Sequence, residues 1–309
     1  MTFISLLVAL LLEQVRPLDR RSAVFRLYTR YANSLGKHFN AGERRQGVIA
    51  WLLGVLPWVV GVAIVHYLLL SVSVLLALAW SVAVLYVTMG FRQFSHGFTT
   101  IIEALRPGHL EAAREELTDW RNEPAEEYNG TEIAKVAIED GLLASHRHVF
   151  GVIFWFVILP GPAGAVLYRL SALLADKWGQ GQAEEEESRF GEFARQIFEA
   201  IDWIPTRLTA ISFAVAGDFE DAVFCWRSQA QTWLRPEQGI VLSAGAGAIG
   251  VRLGETLHQH GTVAFRPEIG LGDEADVNYM TSAVGLIWRA LIIWMGVIGL
   301  VTIAAWFGG

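Results

Sequence analysis

Two stretches, 48–65 (VIAWLLGVLPWVVGVAIV) and 67–89 (YLLLSVSVLLALAWSVAVLYVTM), run without a single Asp, Glu, Lys or Arg. A helix rising about 1.5 Å per residue needs about 20 apolar residues to cross the ~30 Å hydrocarbon layer of a bilayer. The pair therefore predicts a membrane hairpin. Composition agrees: 309 residues, 53% of them hydrophobic and only 18% charged, are too apolar for an ordinary soluble domain of this size. The expected fold class is all-α, a polytopic integral membrane helical bundle with amphipathic cytosolic helices, in one domain over 1–309 and with about five spans.

Three further apolar runs complete that count. Residues 2–15 form a short first helix that spans by tilting, lies at the interface or packs on its neighbours. They lack the basic start and small-residue cleavage site of a removable signal peptide. Residues 149–175 are interrupted by PGPAG, so they form either a kinked span or two half-helices meeting at a turn. Residues 283–307 form a last span, with Arg289 near one boundary. A sixth stretch, 198–217, fits a span, a re-entrant helix or a helix buried by its neighbours.

Charge orients the chain. Residues 16–46 carry Arg16, Arg20, Arg21, Arg26, Arg30, Lys37, Arg44 and Arg45 against Asp19 and Glu43, which puts this segment on the cytoplasmic side. The hairpin returns 90–148 to the same side, where GHLEAAREELTDWRN reads as a solvated amphipathic helix. The EEEE run at 184–187 reads as an exposed loop. A formal charge of -7 excludes nucleic acid as a partner, and a single cysteine, Cys225, excludes an intrachain disulfide. The remaining partner is the lipid bilayer itself.

Local motifs are weak singly. AGAGAIG (Gly245, Gly247, Gly250) matches a dinucleotide fingerprint in letters, yet no strand precedes it, so close helix packing through small residues is the better reading. His146 with His148, and His258 with His260, stand two apart, a spacing that shares a face in a strand and not in a helix; neither predicts a metal site. IDWIPTRLTA at 201–210 is different, because Asp202 and Arg207 are charges inside an apolar run. Pro205 also leaves the carbonyl of residue 201 without its helical donor, an acceptor for Arg207 or a neighbouring amide.

DWIPTRLTA at 202–210 resembles the W-[IV]-P-x-R-L-T segment of the CobD/CbiB family of cobalamin-biosynthesis membrane proteins. GHLEAAREEL (108–117), EIAKVAIE (132–139), FW at 154–155 with Tyr168, FGEFAR (190–195) and GAIGVRLG (247–254) are similar to further segments of that family, in its order. The WIP-x-RL segment and the charged opening also resemble AmpE, a related membrane protein associated with β-lactamase induction. The resemblance covers roughly residues 90–290. It implies a bacterial inner-membrane protein and adenosylcobinamide-phosphate synthesis, in which a corrinoid carboxyl is joined to the amine of an aminoalcohol phosphate, with ATP and magnesium.

Counted without gaps, the chain departs from the family pattern at Leu143, Ala144 and Arg147, at Ala172 to Ala175, and at Glu237 to Val241, where polar family residues are mostly replaced by apolar ones. Glu139, Asp202, Arg207 and Arg252 remain as candidate ligand-binding residues, for a corrinoid or a small phosphorylated ligand. The reading preferred on this count is a diverged, AmpE-like binding or regulatory protein. The alternative is the active synthase, with Glu199, Glu237 and Asp276 supplying replacement carboxylates. A transporter would need a polar path that the clean runs at 48–89 and 283–307 do not offer.

Overall fold

The computed structural model describes residues 1–15, 23–40, 43–179, 189–259 and 262–307. The expected glutamate loop at 184–187, His260 and the arginines at 16, 20 and 21 lie outside them. The described chain is predominantly helical, and three helical stretches are long and apolar enough to cross a membrane: Arg44–Val72, Gly130–Ile158 and Val277–Phe307. It divides into two compact units, one made of residues 1–91 and 147–203, the other of 92–146 and 204–309.

The first unit opens with α1 (Thr2–Val15) and α2 (Ala23–Phe39), then α3 (Arg44–Val72) and α4 (Val74–Thr88). The break between the two long apolar runs falls at Ser73 and not at His66, as the uncharged runs had suggested. His66 is absorbed into α3 beside Ser81 (3.4 Å), whereas the Ser73 hydroxyl accepts the Leu75 N–H and starts α4. Pro57 sits inside α3 and deprives the Leu53 carbonyl of its helical donor; the Tyr31 hydroxyl donates to it at 3.0 Å. Tyr28, beside it, donates to Gly54 O at 3.1 Å, and around it Ala32, Trp51, Val55, Leu174 and Ala194 form a core.

The run at 149–175 proves to be two helices meeting at a turn, α8 (Gly151–Ile158) and α9 (Ala163–Trp178), with Gly161 at φ 70 between them. Close packing follows from missing side chains. A Cβ at Gly151 would collide with the Tyr168 ring, and one at Gly164 with the Trp155 carbonyl.

The second unit holds α5 (Phe91–Leu105), α6 (Leu110–Arg121) and α7 (Gly130–Ser145), whose N-terminus is closed by a reciprocal capping box between Asn129 and Glu132. A π turn, His146–Phe150, joins α7 to α8, so 130–148, expected on the cytosolic side, is continuous with a helical stretch long and apolar enough to cross a membrane. Glu132, Lys135 and Glu139 within it are buried and paired. Helix α10 (Arg189–Ala216) carries the WIP segment; α11 (Phe219–Gln229) and α12 (Pro236–Ile249) follow.

Within α12 the glycines do the packing expected of them: Gly245 faces Leu142, and Gly247 lies on the backbone of Asp221 and Ala222. Gly250 ends the helix in a left-handed conformation, φ 68. The chain then forms an antiparallel ribbon that the helical reading lacked: β1 (Val251–Gln259) and β2 (Thr262–Gly270), with the short β3 (Asp273–Glu274) parallel to β1. Helix α13 (Val277–Phe307) completes the unit and places Arg289 well inside the helix rather than near its start.

Candidate functional site

In EIAKVAIE, residues 132, 135 and 139 follow the i, i+3, i+7 spacing that puts them on one face of α7. All three are charged and buried, at 4%, 5% and 5% exposure, where an unpaired charge would be prohibitive. Each finds its partner on the ribbon. Glu132 Oε1 accepts from the His258 main-chain N–H at 3.1 Å and from its Nδ1 at 2.7 Å. Lys135 pairs with Glu255. Glu139 Oε1 accepts the Gly254 N–H at 2.9 Å and Arg266 Nη2 at 3.1 Å, while Arg266 Nη1 binds its other oxygen.

The ribbon is bent to meet this face. A bulge lies between Leu253 and Glu255, with Gly254 at φ 77 and Glu255 at φ 60, an uncommon conformation for a residue with a side chain. That kink aims the Gly254 N–H and the Glu255 carboxylate at α7. Arg266 also lies over Trp233, 5.6 Å from the ring centroid. Beside the seam, Arg121 reaches Asp140 at 2.8 Å and Glu123 at 2.7 Å; burial works against its charge, but the two carboxylates outweigh it and raise the pKa.

The first unit holds a second set of polar contacts. The Tyr168 hydroxyl donates to Asp202 Oδ1 at 2.7 Å. Arg147 binds both oxygens of Asp176, at 2.9 and 3.0 Å, and lies 5.8 Å from the Phe198 ring centroid. The Ile201 carbonyl freed by Pro205, for which the sequence offered Arg207 or a neighbouring amide, accepts the Trp155 indole N–H at 3.1 Å. In the second unit, His146 at the π turn has Thr209 Oγ1 2.9 Å from Nδ1 and Thr206 Oγ1 3.3 Å from Nε2.

The four residues singled out in the sequence thus fall as follows. Glu139 is locked to the ribbon, and Arg252 stands at the foot of the same ribbon, half-buried, with an Nε that makes no hydrogen bond. Arg207, on α10, is half-buried in the same unit. Asp202 belongs to the first unit and is held by Tyr168. Of the alternative carboxylates, Glu199 pairs with Arg195, Asp276 accepts the N–H groups of Asn278 and Tyr279 at the start of α13, and Glu237 lies in the first turn of α12.

A family model described as CobD/Cbib protein matches residues 6–287. The chain belongs to this family. It is 33% identical to the cobalamin biosynthesis protein CobD of Stutzerimonas stutzeri over 95% of both chains. It is 35% identical to the protein of that name from Chromobacterium violaceum, over 71% of this chain and 70% of the relative. A third, from Leptospira interrogans, is 23% identical over 86% of this chain and 85% of its own. No solved structure matches.

Several of the segments singled out in the sequence meet pairwise. EIAKVAIE meets GAIGVRLG through Glu139 and Gly254. FW meets WIP through Trp155 and Ile201, and the following tyrosine meets the aspartate before WIP. Even the departures pair, since Arg147 binds Asp176, the residue after the apolar run Ala172–Ala175. Lys135 and Arg266 escaped the sequence reading, while His146 entered it only as half of a histidine pair set aside as a metal site and Arg147 only as a departure from the family pattern. For Lys135 the signal was present, a charge three and four residues from Glu132 and Glu139 in an apolar helix; for Arg266 it was not, because nothing in the sequence marked 262–270 as a strand.

Proposed function

We propose that the protein is an adenosylcobinamide-phosphate synthase, joining a corrinoid carboxyl to the amine of an aminoalcohol phosphate. The observation that carries this reading is the 33% identity to the Stutzerimonas CobD over 95% of both chains. An AmpE-like binding or regulatory role lacks comparable support, the three relatives named above all being CobD proteins. The departures from the family pattern are also milder than a gapless count suggests. Around Leu143 and Ala144 the chain still carries the polar residues Asp140, Ser145 and His146, and after Ala175 it carries Asp176.

In this reaction a nucleotide activates the carboxylate, and the amine displaces the activating group with loss of a proton. The protein's tasks are then to bind phosphate, to hold the carboxyl and to accept that proton. Arg252 and Arg207 are the proposed anion contacts, the first because its Nε is buried without a partner. Asp202 and Glu139 act as positioning residues, the one holding Tyr168, the other the kink of the ribbon. Among the described residues no three His, Cys, Asp or Glu side chains are grouped to hold a metal ion. In this reading magnesium arrives on the nucleotide phosphates, as it commonly does. An inner-membrane, multi-pass location follows from the same reading.

The test is direct. Detergent-purified protein is incubated with ATP, magnesium, adenosylcobyric acid and an aminoalcohol phosphate, and the amide product is sought by mass spectrometry beside an active family synthase. Product formation is expected, and Arg252→Ala should raise KM for the phosphorylated amine. Absence of product with the control active would overturn the assignment.

A further inference from the structure

The ribbon is amphipathic in an inverted sense. Its registered pair Glu255 and Arg266 turns toward α7 and is neutralised there by Lys135 and Glu139, with Leu257, opposite Ala264, buried on the same side. Phe265 and Val263, paired with Thr256 and His258, belong to the other side by the two-residue alternation of strands, while the His258 ring near the end of its strand reaches back to Glu132 on α7. On that side Phe265 is 85% exposed and Val263 45%. A two-stranded ribbon packed in water does the reverse, burying aromatic residues and solvating ionised ones.

The place of attachment says what covers this face. The stretch Gly130–Ile158 has 29 residues, about 43 Å of helix against the ~30 Å of a hydrocarbon layer, so its ends extend into the headgroup zone. The ribbon is bonded over Glu132 to Glu139, the first turns of that stretch, with its tip toward the helix N-terminus. Helix α13, also of membrane length, packs on α7 in the same unit. Strand β2 is an edge strand: Gln229 bonds both backbone groups of Gly270, but among the described residues no further strand pairs with it, an arrangement that disfavours the dry interior of a bilayer and is tolerated where water reaches its N–H and C=O groups. We infer that the β1–β2 ribbon is a membrane-interface anchor, with Phe265 and Val263 inserted about 5–10 Å deep at the boundary of headgroups and acyl chains.

The occupant is lipid and not a second copy of the chain or a soluble partner, and the consequence is functional. The ribbon carries Arg252 at its foot and holds Glu139 through Gly254, so the anchored segment is the one that presents a proposed anion contact. This holds whichever reaction the protein performs.

The single native cysteine is buried, which allows a clean label. Phe265→Cys and, separately, Val263→Cys are labelled with an environment-sensitive maleimide fluorophore in full-length protein reconstituted into lipid nanodiscs. Glu111→Cys, at a side chain 83% exposed, serves as the aqueous control. The inference expects blue-shifted emission at 263 and 265, quenching by lipids spin-labelled in the upper acyl chain, and iodide quenching severalfold below the control. Full iodide access with no effect of the labelled lipids would overturn it, placing the ribbon in water. Protection from both quenchers would overturn it equally, placing the face under protein. Failure of the synthase assay leaves this readout untouched.

Discussion

The Trp155 indole donates to the Ile201 carbonyl at 3.1 Å, supplying the hydrogen bond that Pro205 cannot. Tyr31 does the same for Leu53, whose helical donor is missing at Pro57. Two prolines in apolar helices are thus each matched by an aromatic donor from another helix. This makes the W of FW and the P of WIP one structural unit.

That pairing predicts a compensating double mutant. Trp155→Phe leaves the carbonyl unsatisfied and should cost about 1–3 kcal/mol. Pro205→Ala restores a helical N–H, so adding it to Trp155→Phe should recover much of the loss. Thermal unfolding of the purified variants in detergent checks it; strictly additive effects would mean that the bond carries no weight.

Glu139 predicts a larger effect. Glu139→Ala strands Arg266 in a largely buried position and removes the acceptor for the Gly254 N–H, for a loss of about 3–5 kcal/mol. Glu139→Gln keeps one acceptor oxygen and should fall between. Glu139→Ala combined with Arg266→Ala should cost less than the sum of the singles, because no charge is then left alone. Limited proteolysis within 251–270, followed with the unfolding midpoint, separates loss of the ribbon from global unfolding.

How far the sequence could be read depends on which force dominates each segment. The apolar helices were legible because length and lack of charge suffice: 48–89 appears as α3 and α4, and 283–307 lies within α13. Their joints were less so, since Ser73 ends α3 through a local cap that hydropathy does not register. The burial of Glu132, Lys135 and Glu139 was not legible, because their partners lie more than 110 positions away. The ribbon was not legible at all. Its register rests on a bulge at Gly254–Glu255 and on side chains bonded to α7, neither of which leaves a periodic signature. For the site, Asp202 stood out as a charge in an apolar run, but its partner Tyr168 could not be identified from spacing.

Gly151 is predicted to be intolerant of any side chain. A Cβ there would overlap the Tyr168 ring, whose hydroxyl is committed to Asp202, so relief requires moving the ring off its hydrogen bond. Gly151→Ala should cost about 1–3 kcal/mol, as overpacking does. Tyr168→Phe removes the bond but leaves the ring, so it should not rescue Gly151→Ala. Comparing unfolding midpoints of the two singles and the double decides the point; full rescue would place the clash at the hydroxyl alone.

Cys225, wholly buried on α11, gives a probe of the second unit's integrity. Burial raises its thiol from 9.0 to about 11, with Asp221 adding to the effect. At pH 8 a thiol of that pKa is ionised in about one molecule in a thousand, so the native protein should resist maleimide while denatured protein reacts at once. The sign of the pH dependence follows. Between 9 and 11 the unfolded chain has lost a proton that the folded protein keeps, so this group's contribution to stability falls as pH rises through that window. Labelling at pH 8 across a denaturant series should track the loss of secondary structure seen by circular dichroism. Rapid labelling of native protein would show instead that α11 opens locally, well below the global transition.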